Sequence, residues 1–256
     1  MMRMGNARIS FAHGAPGLLV AATFAVFWTG SAHADKSAAA QGWDWRITPF
    51  LWAAGIDGNV SLGPVSRPVD VAFSDIVDVL DGVVLLHFEG THAGHGIFGD
   101  VTWLSLEPDD KVTATGGVTK SSFTTTIVEG GYLHKLSKDL SLELGVRYWD
   151  FGLEIRPARL PSAQRDDSWI DYFVGIRHEQ AIGKNWRMSL EGSIGTGGSD
   201  TPWGVQVLFA RKFSSGNAFV VGFKLLSIDY SNQSANGLAF NVDTRFEGMT
   251  VGYRFD

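Results

Sequence analysis

The sequence predicts an all-β chain closed into one antiparallel transmembrane β-barrel, of ten strands or, as the alternative, eight. Three observations carry that expectation. Apolar residues make up 45% of the 256-residue chain, yet after residue 34 no stretch approaches the ~20 continuous apolar residues of a membrane helix. They recur with period two instead, which is the pattern of strands. The links between strands alternate short and long, and aromatic residues collect at both ends of the uncharged strand face.

The chain begins with a segment that does not share the pattern. Arg3 and Arg8 form a basic stretch, Gly17 to Trp28 is an apolar run too short to span a bilayer, and small residues follow at Ala32 and Ala34. This is the layout of a secretory signal peptide over residues 1–34, cleaved before Asp35. A short segment, 35–42, then leads into the barrel at 43–256. Loss of residues 1–34 removes two Arg and no acid, so the formal charge moves from -6 to -8. An acidic exported chain is a poor nucleic-acid binder. With no cysteine, disulfides, thiolate metal sites and thiol nucleophiles are excluded.

Each strand follows from alternation. In "NWRMSLEGSIGTG", Trp186, Met188, Leu190 and Ile194 share one face, while Arg187, Ser189, Glu191 and Ser193 share the other, because successive strand side chains point to opposite sides. The same reading places strands at 43–57, 83–91, 96–107, 119–135, 140–156, 168–181, 186–196, 203–213, 218–230 and 240–255. "HAGH", "LSKD", "IGKN" and "SSGN" are short turns, built from residues that turns favour. The other links are longer, among them 58–82, 108–118, 157–167 and 231–239. Short turns and both chain ends then fall on one side and long loops on the other, the asymmetry of an outer-membrane barrel with periplasmic turns and extracellular loops. Within 58–82, "FSDIVDVLD" offers Ser74 or Asp75 as a cap and apolar Ile76, Val77, Val79 and Leu80. It reads either as a short helix folded over or into the barrel mouth, or as a loop with an apolar cluster.

Parity assigns the charged set to one face: Asp44, Arg46, His87, Glu89, Asp100, Glu129, Glu143, Arg147, Asp171, Arg177, Glu179, Arg187, Glu191, Lys224, Asp243, Arg245 and Glu247. The opposite face is almost free of charge. It carries Trp43, Trp45, Tyr132, Trp186, Phe213, Tyr253 and Phe255 toward the short turns, and Trp103, Tyr148, Trp169, Trp203 and Tyr230 toward the long loops. Aromatic belts around an apolar band mark the two interfaces of a bilayer, so the apolar face is expected to meet lipid and the charged face the lumen. In hydrocarbon every backbone group must be paired internally, so the last strand is expected to seal against the first at "WDWRITPFLWAAG".

The ending "TVGYRF" resembles the final strand of small Gram-negative outer-membrane β-barrel proteins, although Asp256 follows Phe255 where those proteins commonly end on the aromatic residue. "WDWRITPFLWAAGIDG" followed by "VDVAFSDIVDVLD" is similar to an uncharacterised proteobacterial family of such barrels. The resemblance covers the mature chain. It implies a location in the outer membrane, contact with outer-membrane lipid, and recognition of the last strand by the barrel-assembly machinery; it implies no defined activity.

The lumen and rim show no chemistry of the barrel enzymes. Resemblance to omptin proteases would require an Asp-x-His element, and resemblance to the lipid A deacylases a His-x-Ser element on a strand; neither occurs. Asp109–Asp110 and Asp166–Asp167 are adjacent loop acids, which usually form solvated surface. His92 and His95 share one turn but lack a third metal ligand, and the Gly-rich pieces lack a phosphate-loop or dinucleotide context. No cofactor or metal is expected. Glu143 with Arg147 and Arg187 with Glu191 stand four apart on one strand, which predicts interior ion pairs that pin register. The expected role is structural, adhesive or stress-related at the cell surface, without catalysis. The alternatives are a narrow small-solute channel of weak cation preference and, more distantly, a membrane-embedded hydrolase.

Overall fold

Period-two alternation becomes one continuous antiparallel sheet in the computed structural model, which describes residues 42–62, 65–107, 111–112, 118–157, 163–233 and 239–256. The expected signal peptide, most of segment 35–42 and the Asp109–Asp110 pair lie outside the described residues. The elements are β1 (Asp44–Leu62), β2 (Val65–Val71), α1 (Phe73–Asp78), β3 (Leu80–His92), β4 (His95–Leu106), β5 (Lys111–Val112), β6 (Val118–Lys135), β7 (Leu140–Pro157), β8 (Ala163–Ala181), β9 (Trp186–Gly197), β10 (Trp203–Lys212), β11 (Ala218–Gln233) and β12 (Ala239–Arg254). Ten strands form the wall. Each pairs with its neighbour in the chain, β2 and β5 being short additions hydrogen-bonded to β1 and β6.

The wall closes where the sequence requires it. β1 and β12 pair from Phe50↔Gly252 to Leu62↔Phe240, and Ile47 exchanges backbone hydrogen bonds with Phe255 at 3.1 and 2.8 Å. Closure leaves neither the first nor the last strand as a free edge, which is the condition for a sheet in hydrocarbon. The strands approach closely at this seam: a Cβ on Gly248 would lie 1.9 Å from the Ala53 carbonyl oxygen, so only glycine fits there. The short turns lie at the end that also holds Gly42 and Asp256. One of them carries Ala93 and Gly94 at φ 47° and 84°, the left-handed pair of a two-residue hairpin turn.

Two local expectations are corrected. The link 58–82 is not simply a loop, because β1 runs on to Leu62 and β2 folds back on it from Leu62↔Val65 to Ile56↔Val71. The helix α1 exists, but its N-cap is Ala72 and makes no side-chain hydrogen bond. Ser74 and Asp75 fall inside its first turn, where the Asp75 carboxylate complements the helix dipole instead of capping it. No helix among the described residues is long and apolar enough to cross a membrane, which says nothing of crossing by strands.

The largest apolar cluster sits inside the barrel toward the long-loop end, built from Trp52, Ile127, Trp149, Phe151, Trp169, Leu226, Ile228, Tyr230, Phe240, Val242 and Phe246. The outward face also presents large apolar side chains, among them Leu51, Val84, Leu144, Ile170, Tyr172, Ile176, Leu190 and Met249, all exposed.

Candidate functional site: the barrel lumen

Inward side chains divide the lumen into two tiers, and the lower one is charged. Arg177, on β8, is its centre. It forms an ion pair with Glu89 of β3, lies 2.7 Å from Glu143 of β7 through Nε and 3.3 Å from Glu191 of β9, and stacks over Phe98 at 5.6 Å. Arg46 reaches Glu89 from β1 at 3.3 Å. A second group forms around Glu129 of β6, which accepts from Arg147 at 2.9 Å and Lys224 at 3.4 Å. His87 bonds Asp100 through Nδ1 at 3.0 Å. The pairs thus cross the lumen between strands instead of running along one strand, as the spacing of Glu143 with Arg147 and of Arg187 with Glu191 suggested. A strand's i and i+4 residues share a face but stand roughly 13 Å apart, whereas the long side chains of neighbouring and opposite strands meet across a narrow barrel.

Glu143 is fully buried and neither of its oxygens has a hydrogen bond of good geometry within the protein, despite the close Arg177 Nε. Glu179 and Arg187 lie lower, lining with Arg46, Glu89, Arg177, His92 and Lys135 a polar cavity of about 470 Å³ at the short-turn end. Above it, Glu89, Asp100, Glu129, Glu191 and Lys224 border a smaller space of about 120 Å³. Five residues, Arg46, Glu89, Arg177, Glu179 and Arg187, line both.

The upper tier is aromatic. Trp169 stacks on Tyr230 with centroids 3.7 Å apart and planes 9° apart, and on Phe151 and Trp149 at 5.4 and 5.8 Å. Two of its indoles and a buried carboxylate are matched: Trp149 Nε1 donates to Asp171 at 2.8 Å, Trp169 Nε1 to Ser199 Oγ at 2.7 Å, and the Ser199 amide to the other Asp171 oxygen at 2.8 Å. Ser199 and Pro202 are buried, so the link between β9 and β10 is drawn in against the stack.

Several sequence assignments are therefore corrected. Trp169 and Tyr230 are inside the barrel, not on its outer aromatic belt, because each has the parity of an inward residue on its own strand, Asp171 and Lys224 respectively. Asp243, Arg245 and Glu247 are on the outer face, because β12 turns its even positions inward (Phe240, Val242, Thr244, Phe246) and its odd positions outward. Arg245 pairs there with Glu247 at 3.1 Å and, across the seam, lies 3.8 Å from Asp57. Trp43, Trp45, Trp186, Tyr253 and Phe255 are exposed on the outer face at the short-turn end, and Tyr148 and Trp203 toward the other end. Sequence reasoning did not single out Trp52, Trp149 or Ser199. Parity alone would have placed the two tryptophans inside, since they alternate in step with Arg46 and Arg147.

The histidines of the first short turn are engaged locally. His92 Nδ1 is hydrogen-bonded to the Gly42 carbonyl at 3.1 Å, and His95 to the Tyr132 hydroxyl. Among the described residues no group of three or more His, Asp or Glu is arranged to hold a metal ion.

No family model matches the chain, and no curated protein matches its sequence. Among solved structures, the chain is similar to Ail, the attachment invasion locus protein of Yersinia pestis, at 11% identity over 84% of this chain and 99% of that one, with a TM-score of 0.41. It is similar also to the translocator domain of the autotransporter NalP from Neisseria meningitidis, at 11% identity over 86% and 92% of the two chains, with a TM-score of 0.38. What the chain's own geometry shows is a closed ten-stranded antiparallel barrel with a charged lower lumen and an aromatic upper one.

Proposed function

We propose that this chain is an integral outer-membrane β-barrel of Gram-negative type with a structural or adhesive role at the cell surface and no catalytic activity. One observation carries the reading: a wall closed by β1 on β12 whose outward band is apolar while its interior holds the ion pairs, the reverse of a soluble barrel. The exposed aromatics at the ends of that band suit the headgroup level. Residues 1–34 act as the cleaved export signal, outer-membrane lipid surrounds the band, and the barrel-assembly machinery reads the last strand with Tyr253 and Phe255. Membership of the proteobacterial family suggested by "WDWRITPFLWAAGIDG" belongs to the same proposal.

The lumen supports a filled interior over a channel. Its charges are spent on one another through Arg177 and Glu129, and the upper tier is closed by stacked rings. The test is fractionation and electrophoresis of the full chain. It should appear in outer membranes with Asp35 as its first residue, resist SDS until heated, and change mobility on heating. Recovery as a soluble protein without detergent would overturn the orientation, and large steady conductance of the purified protein in planar bilayers would favour the channel.

A further inference from the structure

One seam of the wall is incomplete. β1 is hydrogen-bonded to β12 from Phe50 to Leu62, but on its other side it pairs with β3 only from Asp44↔Thr91 to Pro49↔Leu86 and with β2 only from Ile56 onward. No ladder rung joins 50–55 to 80–85. Ile47 directs both its N–H and C=O to Phe255 of β12, so by alternation the backbone groups of Phe50, Trp52 and Ala54 point into this break. β3 remains paired with β4 along the same stretch, with a register shift between Leu80 and Gly82 that bends it.

The break lies within the apolar band. Leu51, opposite Val251, and Val84 flank it on the outer face, and all three are exposed. Backbone left off a ladder at such a level is disfavoured in hydrocarbon, so its retention calls for a reason. Behind the break, Phe50, Ala54, Ile56 and Leu85 pack on the interior aromatic cluster. In front of it, α1 begins against the outward side of β1, since a Cβ on Gly55 would lie 3.1 Å from the Val71 carbonyl oxygen and 3.9 Å from the Phe73 nitrogen. Phe73, Ile76 and Val77 give α1 an apolar stripe, with Ile76 buried and the other two exposed, while Asp75 and Asp78 lie on its other side.

We propose that the β1–β3 break is a lateral portal, covered by α1, through which an uncharged apolar molecule dissolved in the surrounding lipid reaches the aromatic cluster inside the barrel. The chemistry of the cluster sets the class. Trp52, Trp149 and Trp169 already donate their indole N–H groups to the Lys224 carbonyl, Asp171 and Ser199, and Lys224 and Arg147 lie over the Trp52 and Trp149 rings, so these indoles keep no free donor for a charged headgroup and the rest of the cluster, but for the Tyr230 hydroxyl, is hydrocarbon. The portal rests on the reading that the outward band lies in lipid.

Two measurements test it. Amide exchange of the full mature chain in micelles reads the break directly: Phe50, Trp52 and Ala54 should exchange about tenfold or more faster than Leu51 and Ala53, which bond to β12. Equal protection of the two sets would overturn the proposal. The second uses phosphatidylcholine vesicles and a variant whose outer tryptophans 43, 45, 103, 186 and 203 are phenylalanine, leaving Trp52, Trp149 and Trp169 as reporters. Added 1-bromododecane should quench them saturably. Joining A53C to V84C with a bismaleimide, in a chain that has no cysteine of its own, should slow that quenching about tenfold. Quenching that is non-saturable, or unchanged by the cross-link, would overturn the portal. Heat-modifiable migration of the same preparations reports separately on the barrel and its place in the membrane.

Discussion

Arg177 shows how one residue organises the charged tier. Three carboxylates, Glu89, Glu143 and Glu191, approach a single buried guanidinium, and its planar fork meets each of them with a different nitrogen, where a lysine would have to gather all three around one. Removing one partner of a buried pair leaves an uncompensated charge and costs roughly 3–5 kcal/mol. Arg177→Met should therefore lower the temperature at which the SDS-resistant form is lost far more than Arg187→Met, whose side chain is exposed to the lower cavity. Equal shifts in the two variants would remove Arg177 from the centre of the network. Asp171 is a different case, a buried carboxylate held by two neutral donors. Trp149→Phe should weaken thermal resistance by stripping one of them, by roughly 1–3 kcal/mol, measured in the same assay.

At the scale of elements, the β1–β12 seam decides whether the barrel exists. Gly248 sits where any side chain would collide with the backbone of Ala53, and a backbone atom cannot rotate out of the way. Gly248→Val should abolish the heat-modifiable form. Gly192→Ala should retain it, because nothing lies within 4 Å of the added Cβ. Normal assembly of the valine variant would show that the last strand is not the seal. Ten wall strands were legible from alternation to within a few residues, because one face of each meets a different solvent from the other. The hairpin extension of β1 with β2 was less legible, since "GNVSLGPVSRPVDV" mixes turn residues with only a weak period of two. Its structure comes from pairing with a neighbour that the local sequence does not name.

For the whole molecule, the tiers imply a lumen open toward the short turns and stopped by rings toward the long loops. Wild-type protein should show little conductance in planar bilayers. The double variant Trp169→Ala/Tyr230→Ala, which removes the closest stack, should conduct, and the acids below should make that current favour cations. A conductance unchanged by the double variant would mean that the stack does not close the path, and anion preference would contradict the acidic lining.

Sequence by itself determined that this chain is a barrel with an apolar outside, because the two-residue period of a strand and the need to pair every backbone group in hydrocarbon leave few other solutions. It also determined which side chains compete for the lumen on most strands. Glu129, Arg147 and Arg177 keep the inward parity of their strands, and Arg147 pairs with Glu129 and Arg177 with Glu143. Trp169 and Tyr230 lie inside and Asp243, Arg245 and Glu247 outside because position along the strand, not the chemistry of the side chain, sets the face. Only the tertiary structure decided who pairs with whom. Stagger between strands and the curvature of a closed wall bring Arg177 to Glu89 and Glu191 rather than leaving each charge with its neighbour along the strand, and the same closure stacks Trp169 on Tyr230 and leaves β1 parted from β3.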